Sequence, residues 1–298
     1  MQKHTLRPDA VAYGFLAGYL LLFCLFIVIP VIAGVGLSFT QFNAIAPPVW
    51  KGIGNYVDMF TKDLVLMQNV LPNMVQFALF VGFFGYILAF VLAWILAQLT
   101  RLPRTILAII LYTPSLTAGV VMQVIWKVMF SGDEYGYINN LLLSWGFIEQ
   151  PIQFLQSADY LMWIMIVVSI WNSMGIGFLA MLAGILNVNP EMYEAGAIDG
   201  VSNRVQEVIY ITIPSMKPQM LFGAVMAVVN TFNVSNIGVQ LSGVNPTPLN
   251  SGQLIVTHIE DFGFIRFEMG YAAALSVVLL LFVYFLSKVA FRLFRERD

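Results

Sequence analysis

Long apolar stretches separated by shorter polar ones run the length of the chain. No charged residue occurs between Asp9 and Lys51, Asp63 and Arg101, Arg104 and Lys127, Asp159 and Glu191, Lys217 and Glu260, or Glu268 and Lys288. Each of these six windows can hold the roughly 20 apolar residues that a helix needs to cross the hydrocarbon core of a bilayer. Spans are expected at 11–36, 72–99, 105–128, 160–186, 219–240 and 270–291. None shows the two-residue alternation of a transmembrane strand, and lipid offers backbone polar groups no partner, so the spans read as helices. Pro30, Pro114, Gly82, Gly85, Gly175 and Gly177 fall inside them as candidate kinks. The expected fold class is an all-α integral membrane protein, with residues 1–298 forming a single transmembrane domain of six helices.

Composition agrees with the pattern and narrows the function. The 298 residues are 59% hydrophobic and 10% charged, against about 45–50% apolar and about 25% charged in soluble domains. That excludes a soluble enzyme or a disordered tail. A net charge of −2 leaves no basic excess for phosphates, so no nucleic-acid partner is expected. Cys24 is the only cysteine and His4 and His258 stand apart, which argues against a disulfide framework and a metal cluster. His258, Glu260 and Asp261 sit close in sequence but have no matching ligand cluster elsewhere, so no metal site is expected there. The first span is expected to be retained, because its apolar run is longer than a signal h-region and lacks a convincing cleavage site.

Basic residues set the orientation. With the N-terminus inside, ten of the 14 Lys and Arg residues fall on the cytoplasmic side: Lys3, Arg7, Arg101, Arg104, Arg204, Lys217, Lys288, Arg292, Arg295 and Arg297. The outer segments then carry nine acids against four bases. Both termini are expected in the cytoplasm. The loop between spans 2 and 3 is only Thr100–Arg104, so those spans are antiparallel neighbours. The inner loop at 187–218 is about 30 residues long yet not linker-like, which marks it as an ordered docking surface. Within it, Asn189 can cap a helix with Pro190 at its first position and Glu191 in its first turn, and Gly200 can end that helix in a left-handed turn. Ser202 or Asn203 can cap a second helix through Arg204–Ile211, closed by Pro214.

The loop contains Glu194-Ala195-Gly196, then Asp199-Gly200 and Ile211-Thr212-Ile213-Pro214. This resembles the EAA loop of ABC importer permeases, in which Glu-Ala-Ala is followed three residues later by Gly and then by a hydrophobic-x-hydrophobic-Pro ending. Two features depart from that pattern: Gly196 replaces the second Ala, and Gly200 to Pro214 is one residue longer than the commonest spacing. The resemblance extends to the sugar-importing, maltose-type group. It takes in Trp171 with Gly175, Phe262–Gly263 followed by Met269-Gly-Tyr-Ala-Ala-Ala274, and the basic tail Arg292–Arg297, so it covers nearly the whole chain. It implies the type I ABC importer transmembrane-domain fold and a multi-pass protein of the bacterial or archaeal cell (inner) membrane. The loop would then be a coupling element that sits in a groove of an ATPase subunit. Glu194 would pair with a basic group there, and Ala195, Gly196 and Gly200 would permit close approach. Met192, Tyr193 and Ile198 would supply apolar anchors. Asp199 stays open between cap and contact, and Pro214 ends the motif.

The same resemblance implies the partners: a second homologous permease forming a heterodimer, two ABC ATPase subunits, an extracellular or periplasmic solute-binding protein, a sugar substrate and membrane lipid. Docking of the binding protein is expected at Trp50–Asp63 and at the outer loop containing His258. None of the six lysines follows a glycine, so the chain has no phosphate-binding loop of the Gly-Lys-Ser/Thr type. The chain is therefore not expected to be an enzyme. It needs no cofactor of its own, and ATP and Mg belong to the ATPase subunits. A sugar path needs amides, hydroxyls and aromatic faces. Asn230, Asn233, Asn236 and Gln240 recur at near-helical spacing on span 5, and span 4 adds Asn172 and Ser173. Amides on a transmembrane helix are expected to face a bundle interior or a water-filled cavity. The implied function is ATP-driven uptake of sugars, di- or oligosaccharides first. The alternative, an ion-coupled secondary carrier, would place ionisable residues mid-span, and the centres of these six spans hold none. An intramembrane enzyme would need a nucleophile–base pair or a metal constellation, and no His-Glu-x-x-His string occurs.

Overall fold

A computed structural model describes residues 8–294 except residue 118, with side chains from Leu16 onward apart from those of 118–123. Lys3, His4, Arg7 and Arg295–Arg297 lie outside the described residues. Apolar windows become helices, as the backbone constraint demands. They are α1 (8–37, with a π turn at Cys24–Val28), α2 (Gly54–Thr61), α3 (Leu66–Ala97), α4 (Arg101–Leu116), α5 (Gly119–Met129), α6 (Tyr137–Ser144) and α7 (Ala158–Asn172). After these come α8 (Ile176–Leu186), α9 (Pro190–Ile198), α10 (204–215), α11 (Lys217–Phe232), α12 (Ile237–Ser242), α13 (255–265) and α14 (Met269–Phe294). Strands β1 (Thr40–Gln41) and β2 (Val49–Trp50) pair antiparallel, Thr40 opposite Trp50.

Among the described residues three helices are long and apolar enough to cross a membrane: Leu16–Leu37, Leu66–Ala97 and Met269–Phe294. The α7–α8 pair meets the same criterion jointly across a 46° bend. The third and fifth sequence windows are interrupted rather than continuous. Helix α4 ends at Leu116, two residues past Pro114, and Thr117 is extended (φ −75°, ψ 131°). Helix α11 ends at Phe232, well short of residue 240, and Asn236 takes a left-handed conformation (φ 54°) before α12 begins. Asn233-Val-Ser-Asn236 is a run of β-branched and side-chain-bonding residues, and Asn tolerates the left-handed region.

The chain forms two compact units, residues 1–63 with 259–278 and residues 64–258 with 279–298. In the first, α1 is exposed along Leu16–Leu37 with apolar side chains outward. The chain leaves α1 through a turn pinned by buried Asn55, whose Nδ2 donates to Ser38 O (2.9 Å) and Thr40 O (2.8 Å). Asp58 bonds Lys51 (2.7 Å) and Lys62 (2.6 Å), which holds its carboxyl below the usual carboxylate range.

In the second unit the core lies where α3, α8 and α11 meet, around Ala93, Leu96, Phe178, Met181 and Met216. Small residues let α8 and α11 approach closely. A Cβ built on Gly177 would lie 3.3 Å from Gly223 Cα, and one on Gly223 would lie 2.5 Å from Met181 Cε. The phenol of Tyr86 donates to Met220 O (3.2 Å) from α3.

Overpacking such a crossing costs about 1–3 kcal/mol. Gly177→Ala is therefore expected to lower the thermal midpoint of the detergent-solubilised protein by several degrees, read by fluorescence-detected size exclusion. Gly18→Ala, with nothing within 4 Å of its Cβ, is the control. Equal midpoints for the two variants would refute the tight crossing.

Candidate functional site

Two places in the second unit carry the chemistry singled out by sequence: the 187–218 loop and a cavity among the helices. The loop is built as its residues dictate. Asn189 Oδ1 accepts from Glu191 N–H (3.1 Å) and caps α9, with Pro190 at the first position. At the other end Gly200 (φ 94°) reverses the chain. Gly200 N–H donates to Ala197 O and Val201 N–H to Gly196 O (2.9 Å), the paired bonds of a Schellman ending. Asp199 is the C-cap residue. Asn203 Oδ1 accepts from Gln206 N–H (2.9 Å) and starts α10.

The two helices are tied face to face. Tyr193 Oη and Thr212 Oγ1 lie 3.0 Å apart, and Ser215 Oγ reaches Met192 Sδ at 3.6 Å. Tyr193 and Gly196 therefore turn toward α10, and a Cβ on Gly196 would press on Ile211 Cδ1 at 2.6 Å. Of the residues singled out in the sequence, Met192, Glu194, Ala195, Ile198, Asp199 and Gly200 stay exposed, Ile198 at 87%. The π turn at Val208–Thr212 carries one residue more than an α turn. It takes up the extra residue between Gly200 and Pro214 without breaking α10.

The cavity has a volume of about 520 Å³ and is lined from α3, α4, α7, α8, α11 and α12. Asn172, Ser173 and Asn230 line it. Asn233, Asn236 and Gln240 do not, because α11 stops at Phe232 and the helical spacing that aligned them ends there. Asn236 instead donates its backbone N–H to Thr257 Oγ1 (2.9 Å). Sequence reasoning overlooked Ser169, which lies one turn before Asn172 on the same face of α7. Its Oγ makes no hydrogen bond although the residue is only 7% exposed. The i−3 spacing from Asn172 was the available signal. Tyr112 and Ser115 of α4, Tyr86 of α3, Thr231 of α11 and Ser235 add to the polar lining, with Ser115 Oγ donating to Tyr112 O (2.7 Å). The other unit holds an open recess of about 610 Å³ lined by Lys51, Arg266 and Glu268, with Trp50 nearby in the chain and 74% exposed.

No family model matches the chain. The chain is 31% identical over 303 residues to a probable ABC transporter permease, YesP of Bacillus subtilis, covering 98% of this chain and 93% of that one. It is 28% identical to the arabinooligosaccharides transport system permease AraP of the same organism, covering 95% of this chain and 88% of that one. Its structure superposes on a chain of a bacterial alginate ABC transporter in complex with an alginate pentasaccharide-bound periplasmic protein, with a TM-score of 0.78 at 22% identity, covering 96% and 94% of the two chains.

The capped helix α9 yields a direct test. Replacing an N-cap Asn by Ala costs about 1 kcal/mol. Asn189→Ala is expected to raise amide hydrogen exchange across Glu191–Gly196 several-fold while exchange in α8 stays unchanged. Unchanged exchange at both places would contradict the cap.

Proposed function

We propose, from the premise that the chain belongs to the ABC transporter permease family, that it is one permease subunit of an ATP-driven importer. It takes up di- or oligosaccharides delivered by a solute-binding protein. One observation carries the reading: the outward-facing Glu194 helix lies in the loop that joins α8 to α11, the two helices whose crossing walls the cavity. A relative named for arabinooligosaccharide transport and a solved alginate importer carrying a saccharide-bound periplasmic protein support the substrate class and the external partner. The chain resides in the bacterial cell membrane.

In this reading the chain crosses the membrane six times, as α1, α3, α4–α5, α7–α8, α11–α12 and α14, with both termini and the 187–218 loop in the cytoplasm. A second permease completes the pathway. Two ATPase subunits bind ATP and Mg and receive α9 in a groove. Ala195 and Gly200 permit close approach, Met192 and Ile198 are the apolar anchors and Glu194 is the charged contact. The loaded binding protein docks on the outer face, where Trp50 and the Lys51–Arg266–Glu268 recess are presented. ATP then closes the ATPase dimer, the loop moves with it, and the bundle exchanges inward and outward openings as a ligand-biased two-state switch. Asn172, Ser173, Asn230 and Ser169 line the path for the sugar.

Reversing a contact charge costs about 2–5 kcal/mol when the partner is left buried. Glu194→Lys is thus expected to abolish uptake and weaken ATPase copurification at least about 30-fold, with membrane insertion intact. Normal uptake with normal copurification would sink the docking assignment. Losing one hydrogen bond is worth about 0.5–1.5 kcal/mol. Asn230→Leu should therefore cut uptake about 3–10-fold in an assembled complex, while Asn233→Leu, outside the cavity, leaves it near wild type. The reverse order of the two effects would refute this path.

A further inference from the structure

The cavity ends against an interrupted helix. Between α7 and α8 only Ser173, Met174 and Gly175 separate two helical stretches bent by 46°. The first i→i−4 bond of α8 runs from Leu179 N–H to Gly175 O. The amides of Ile176, Gly177 and Phe178 therefore have no acceptor within their own helix, and all three residues line the cavity. An 11-residue helix also carries about half a positive charge at that end.

A second, independent group points to the same place. Ser169, 7% exposed and lining the cavity, has a hydroxyl without a partner. Its neighbours have each used one donor: one Asn172 Nδ2–H donates to Val168 O (3.0 Å) and Ser173 Oγ to Ile170 O (2.7 Å). What remains at the break is weighted toward donors: three amides, the Ser169 hydroxyl and the second Asn172 N–H, against the Asn172 Oδ1 acceptor. No acidic residue is among those lining the cavity, so no carboxylate of the chain competes for them.

An ionised carboxylate is acceptor-only, whereas a sugar hydroxyl must also donate. Charge-assisted bonds to backbone N–H groups are the stronger ones, and helix N-termini favour anions. Given that this cavity is the sugar path, we propose that the α7–α8 break is a subsite for the carboxylate of an acidic sugar unit, a uronic acid. The carboxylate lies against the N-terminal turn of α8 and accepts the Ser169 hydroxyl. The transporter then carries acidic oligosaccharides by backbone dipole rather than by a lysine or arginine.

The test places a single thiol at the break. In a Cys24→Ser background, Ser173→Cys is reacted with small methanethiosulfonates bearing a sulfonate, a trimethylammonium or a methyl group. The protein is the complete detergent-solubilised transporter, open to reagent from both faces, and rates are normalised to those with free 2-mercaptoethanol. The expected result is a normalised rate for the anionic reagent at least about tenfold above that for the cationic one. Millimolar galacturonate should slow labelling while galactose does not, and Ser169→Ala should remove that protection. A rate ratio at or below one, equal protection by the two sugars, or protection by neither overturns the carboxylate assignment and leaves the permease reading standing. Failure of the neutral methyl reagent to label the thiol would instead remove this cavity from the solute path. Asn172→Cys, also in the lining, carries the same measurement if Ser173→Cys does not assemble.

Discussion

A backbone N–H or C=O inside a bilayer must find a partner within the protein or in trapped water, and the layout of this chain follows from that constraint. Where helices run unbroken, as in α1, α3 and α14, the ladder satisfies itself and the outer face needs only apolar side chains. Where a helix breaks, some freed groups stay open to a cavity, and short hydroxyl and amide side chains bond carbonyls beside the interruption. Thr113 bonds Ile109 O, Thr117 bonds Thr113 O and Ser115 bonds Tyr112 O near the end of α4. Asn172 and Ser173 do the same at the end of α7. The interruptions after α7 and after α11 both border the cavity of about 520 Å³, whose lining combines amides and hydroxyls with the first amides of α8. A polar cavity and the tolerance for broken helices are thus two consequences of one requirement.

The same requirement explains which parts of the structure were legible in the sequence. Charge-free windows located the helices because a span has to exclude charge over a fixed length. The ends of α9 were legible for a similar reason: Asn189, Pro190 and Gly200 each satisfy a local backbone need that does not depend on tertiary context. The breaks were legible only in part. Pro114 and Gly175 marked two of them, though α4 continues two residues beyond Pro114. Nothing in a helical spacing of amides announces that Asn236 will turn left-handed. Projecting one helical face from Asn230 to Gln240 therefore placed Asn233, Asn236 and Gln240 with the cavity, and the structure separates them from it. Counting charged side chains across the spans also leaves out the field of a helix terminus, which needs no charged residue.

The two departures of the 187–218 loop from the common EAA pattern meet in one contact. The extra residue is absorbed by the π turn at Val208–Thr212, so α10 runs on through Pro214. That turn carries Ile211, 6% exposed, whose Cδ1 occupies the space where a methyl group on residue 196 would sit. Glycine at 196 leaves that space to Ile211, so the substitution and the insertion accommodate each other. The cost is borne by α9, where glycine is a poor helix former, and is offset by the cap at Asn189 and the Tyr193–Thr212 bond.

This tight loop also constrains how movement reaches the solute. Helix α8 has its N-terminal turn at the cavity and its C-terminal end next to the loop. Its 11 residues span about 16 Å at 1.5 Å per residue. Helix α9, fastened to α10 by the part-buried Tyr193–Thr212 pair, cannot shift far without pulling α8 and α11, and those two helices meet closely through Gly177 and Gly223, with Met181 packed against Gly223. Interfaces packed this closely rearrange between discrete states rather than deform continuously. In the proposed reading, the end of α8 at the cavity is moved by the same loop that docks the ATPase. In that reading, binding at the break and the state of the loop are coupled through the position of one short helix.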